Sequence, residues 1–92
     1  MEKEKIAMLT TSWKVINYMN DKPSAETEEI MRYVLKESQG SDKEGKIRAI
    51  AAANRVIKYK QSLRISDKEI IQKIMNELND ILEDIEKSEM EE

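Results

Sequence analysis

Between residues 71 and 85, Ile71, Ile74, Leu78, Ile81 and Ile85 follow one another at alternating steps of three and four. That spacing gathers them on one face of an α-helix, whereas a strand repeats its faces every second residue. The set forms a short coiled-coil-like seam flanked by Ile70, Met75 and Leu82, and such a helix has to bury it against neighbours. The rest of the chain agrees. Two glycines and one proline in 92 residues leave too few turn points for an all-β domain, while Ala, Glu, Lys, Ile and Met favour helix. Charged residues (38%) nearly balance hydrophobic ones (39%), the mixture of solvated amphipathic helices and too apolar for general disorder. The expectation is one all-α, compact four-helix domain over residues 1–87, because this length has no room for a second core.

Helices are expected near 2–20, 25–39, 42–62 and 67–87, with an acidic tail at 88–92 that frays. In the first, Ile6, Leu9, Trp13 and Ile16 form one stripe, read as the core contact; Met8, Val15 and Met19 form a second beside it. This helix should stop at Asn20-Asp21-Lys22-Pro23, since proline disfavours helical geometry before it. Ser24 is expected to cap the second helix, Ile30, Met31, Val34 and Leu35 to bury it, and Gly40 to end it in a left-handed conformation. The third, with Ile47, Ile50, Ala53, Val56, Ile57 and further alanines, is apolar around most of its girth and reads as the central element.

The tetrapeptide Ser-Asp-Lys-Glu occurs twice, at 41–44 and 66–69. Serine and glutamate three apart, ahead of a periodic apolar segment, are the signature of a capping box. Both copies are therefore read as starts of the third and fourth helices rather than as a paired acidic site.

Cysteine and histidine are both absent, which removes the commonest general base, the soft-metal ligands and most nucleophile-base pairs. No acidic cluster has the calcium-loop spacing, and Gly40 and Gly45 cannot build a phosphate loop. The expectation is a non-enzymatic protein with no metal and no cofactor. The longest apolar run, Ala49 to Ala53, is far too short to span a membrane, and an absence of cysteine fits a reducing, cytoplasmic setting.

Function is then expected to lie in binding another protein, as a regulator, inhibitor or assembly factor acting as a homodimer. Six methionines and no phenylalanine fit adaptable contacts. Met8, Trp13, Val15 and Met19 are the candidate apolar contacts, the second stripe having no obvious place inside four helices. Asn54, within the apolar arc of the third helix, is the candidate register-setting polar group of a dimer. Arg48, Arg55 and Lys58 belong to a basic stretch from Lys43 to Arg64, whose counterweight is the acidic stretch after Glu77. Such opposite polarities most simply pair across antiparallel helices. The alternative is a helix-turn-helix DNA binder with these cations on phosphates.

Overall fold

Alanine makes the third helix the hub. Ala49, Ala52 and Ala53 lie buried with Val56, Ile57 and Tyr59, and short side chains let a neighbouring backbone come close. The computed structural model describes residues 2–90, with side chains as far as Ser88. It consists of α1 (Glu2–Asp21), α2 (Thr27–Glu37), α3 (Lys43–Ser62) and α4 (Asp67–Met90). All three other helices pack against α3, and α1 also touches both α2 and α4; among the described residues α2 and α4 do not meet. The result is an all-α globule with a radius of gyration of 12.7 Å.

Into its centre α1 sends Met8, Ser12, Val15 and Ile16, α2 sends Ile30 and Val34, and α4 sends Ile70, Ile71, Ile74, Leu78 and Ile81. The seam read from the sequence is thus the buried face of α4, with Ile85 packed at its edge. Ser12 belongs to the core because its hydroxyl donates to the Met8 carbonyl one turn back at 2.8 Å, so no donor is left unsatisfied.

Several helix ends differ from expectation. Ser24 does not cap α2, which begins at Thr27 behind an N-cap Glu26 that makes no side-chain hydrogen bond. The Ala25 amide instead donates to the Lys22 carbonyl at 3.0 Å, closing a turn around Pro23 and Ser24. Serine sits inside that turn, where its hydroxyl is too early to meet the helix amides. Nor does Gly40 adopt a left-handed conformation: no described residue has a positive φ. After α2 the chain unwinds through Ser38 and a turn in which the Ser41 amide donates to the Ser38 carbonyl at 2.9 Å. Finally, α4 runs on to Met90, three residues beyond the expected end; of the acidic tail, 91–92 lie outside the described residues. No helix among the described residues is long and apolar enough to cross a membrane.

Candidate interaction surface

Apolar over about half its girth, α1 has to choose which half to bury, and it chooses against the expectation. Met8 and Val15 are 1% and 0% exposed, and Met19 is half-buried against the core, whereas Ile6 is 61% and Trp13 42% exposed. Ile16 is buried, and Leu9 half-buried between the two stripes.

The cause lies on the flank facing α2. The Tyr18 hydroxyl donates to Glu29 at 2.7 Å, its ring stacks on Tyr33 at 4.4 Å between centroids, and Lys14 pairs with Glu37 at 3.5 Å. These contacts hold α2 along the Lys14/Tyr18 edge, so the adjacent Met8 and Val15 direction is covered by both α2 and α3. As surface contacts, Met8 and Val15 are therefore corrected: they line the floor of a groove of about 560 Å³ between α1, α2 and α3, but present almost no area to a partner.

The exposed stripe runs beside α4. Ile6, Trp13 and Asn20 are spaced by seven residues, hence nearly on one line, and Asn20 marks where the line leads. Its amide donates to Asp67 at the start of α4 at 2.8 Å, while Lys60 donates to both Asn20 (2.9 Å) and Asp67 (3.0 Å). The end of α1 thus meets the beginning of α4, and the two helices run antiparallel. Seven residues back from Asn20 and seven forward from Asp67 are Trp13 and Ile74, and fourteen are Ile6 and Ile81, so Met75 and Leu82 lie one residue beyond the levels of Trp13 and Ile6. Met75 is 48% exposed and Leu82 half-buried. Apolar side chains of both helices, Trp13 among them, therefore stand exposed along the α1/α4 flank, and tryptophan is a residue type enriched where proteins bind one another.

Asn54 is also displaced from its expected setting. It is exposed, with Ile47 and Ile50 beside it only half-buried, because α2 and α4 stand apart and leave the outer strip of α3 open. A shallow groove of about 580 Å³ follows that strip, with Ile47, Ala51, Ile81 and Ile85 in its floor.

The basic stretch meets the acidic one within the chain. Arg55 donates to Glu77 at 2.7 Å and reaches Asp84 at 3.4 Å, and Lys60 pairs with Asp67 at 3.0 Å, all between α3 and α4. Tyr59 donates its hydroxyl to the same Glu77 oxygen. Burial pushes the Glu77 carboxyl up, but hydrogen bonds from Tyr59, Lys73 and Arg55 outweigh it and hold the group below the ordinary glutamate range. Arg48 keeps a looser contact with Glu44 at 3.8 Å, and Lys58 is exposed. Arg55 is thus a clamp between helices, and the rim charges Arg55 and Asp84 of the α3/α4 groove are occupied with each other. Among the described residues no three carboxylates converge as a metal site.

Of the exposed apolar residues on this flank, sequence reasoning singled out Trp13 and assigned Ile6 to the core. The signal that could have corrected it is Tyr18, whose polar tip and position identify the edge of α1 that faces another helix. The chain matches no known protein family, no characterised protein and no solved structure.

Proposed function

We propose that this protein acts by binding another polypeptide through the α1/α4 face, without catalysis. One observation carries the reading: Ile6, Trp13 and Met75, three large apolar side chains, stand exposed on the flanks of the two helices that meet at Asn20 and Asp67, where a monomer gains nothing from exposing them. Trp13 would anchor the contact, Ile6 and Met75 would pack around it, and the remaining polar surface would set specificity. A role as regulator, inhibitor or assembly factor fits a small rigid helical face of this kind, as does work in the cytoplasm.

Arg55, one of the cations of a DNA-binding reading, is committed to Glu77 and Asp84, which takes it out of play for phosphate. The test is capture from a lysate of the native host by immobilised protein, wild type beside an Ile6→Asp/Trp13→Asp variant. A protein retained by the first and lost by the second supports the reading; equal retention overturns it. A mobility shift of DNA that weakens steeply with salt would favour the nucleic-acid alternative.

A further inference from the structure

Beside its buried seam α4 carries a second one. Lys68, Gln72, Met75, Asn79, Leu82 and Glu86 follow at steps of four, three, four, three and four, the a/d spacing of a coiled-coil contact. All are exposed except the half-buried Leu82, and Met75 and Leu82 are the apolar side chains of the α1/α4 flank described above.

Lys73, Glu77 and Asp84, on the α3 side, are all engaged inside the chain. On the second seam, Lys68 and Glu86 enter no ion pair among the described residues. They sit at its two ends, equidistant from Glu77. If two copies of this helix lie antiparallel about a two-fold axis at Glu77, Lys68 of each faces Glu86 of the other, Met75 faces Asn79, and Gln72 faces Leu82. A parallel pairing would set lysine against lysine and glutamate against glutamate. In charge, the seam is self-complementary in the antiparallel orientation only, and a two-fold interface has to be self-complementary.

We propose that a second copy of this chain docks antiparallel on α4 through this seam, with Lys68–Glu86 pairs at both ends and Ile6 and Trp13 of α1 widening the contact. This rests on the α1/α4 face being the binding surface and names its occupant. Stable interfaces take about 20–30 residues a side, and six seam positions with their α1 neighbours fall short of that, so the dimer is a weak one, forming in the micromolar range.

Sedimentation equilibrium tests the proposal. Wild type should dimerise as concentration rises through the micromolar range. Lys68→Glu and Glu86→Lys should each dimerise about tenfold more weakly, since each places like charges together twice per interface. Mixed one to one, these two variants should regain wild-type association, because every contact in the mixed dimer is again opposite in sign; the double variant should do the same. Both reversals suit the α4 dipole, acidic near its start and basic near its end, so circular dichroism should show them folded. A wild type monomeric throughout, single variants that associate like wild type, or a mixture no tighter than its components would each overturn the proposal. If the wild type is monomeric yet still captures a host protein through Ile6 and Trp13, only the self-docking falls; if the capture fails as well, so does the binding face.

Discussion

The two copies of Ser-Asp-Lys-Glu begin two helices in two different ways. At α4 the capping box forms as the sequence spells it: the Glu69 amide donates to the Ser66 hydroxyl at 3.1 Å, and the Ser66 amide donates to the Glu69 carboxylate at 3.2 Å. At α3 the register slips by one. Asp42 is the N-cap and its carboxylate accepts from the Gly45 amide at 2.7 Å, leaving Ser41 outside the helix. What differs is the residue on either side. Ile65 and Ile70 flank the second copy at the two positions of a hydrophobic staple; Ile70 is buried in the core and Ile65 packs against it. In the first copy those positions are Gly40 and Gly45, so nothing apolar fixes the entry of the chain and the aspartate takes over. A four-residue motif therefore marks a helix start, while its apolar neighbours choose the residue that caps.

The largest effect should come from removing the staple. Ile70→Ala is expected to cost about 2–5 kcal/mol, read as a lower urea midpoint; a loss below about 1 kcal/mol would mean that Ile70 does not hold this junction. Next come the caps themselves. Ser66→Ala and Asp42→Ala should each cost about 1 kcal/mol, and Ser41→Ala close to nothing. Equal losses at Ser41 and Ser66 would show that both boxes form in solution.

The glycines sharpen the contrast further. A methyl group at Gly40 meets nothing within 4 Å, whereas one at Gly45 would lie 2.9 Å from the Ser41 Cβ and 3.1 Å from the Asp42 carboxylate. Gly40→Ala should stabilise by about 0.4–1 kcal/mol, chiefly through the unfolded chain, while Gly45→Ala should gain less or lose despite alanine's helix preference. Thermal melts that rank the two the other way would contradict the slipped register.

The smallest effect is one of pH. Hydrogen bonds from Asn20 and then Lys60 hold the Asp67 carboxyl below its ordinary range. A group whose folded pKa is depressed adds stability above its unfolded pKa and loses it as pH falls through the folded value. Stability should therefore drop more steeply below the normal aspartate range in wild type than in Asp67→Asn, and parallel acid limbs would show that this cluster contributes nothing to the junction.

Much of this architecture is legible in the residues. The α4 seam, the α3 hub and the charge pairing between α3 and α4 all follow from spacing and sign, because helical periodicity and opposite charge act locally along the chain. The exposed face of α1 was less legible for an equally physical reason. Ile6 and Trp13 form as good a stripe as Met8 and Val15, and periodicity alone ranks them equally. Ser12, polar in sequence and buried in fact, even counts against the correct half.

By itself the sequence determined that four helices would form, roughly where each would begin and end, and which face of α4 would be hidden, since period, breakers and caps belong to single segments. Only the tertiary structure decided which half of α1 turned inward and which residue of the first Ser-Asp-Lys-Glu became the cap. Both choices depend on what stands next to the helix: α2 held at the Tyr18 edge in one case, and the absence of an apolar clasp in the other.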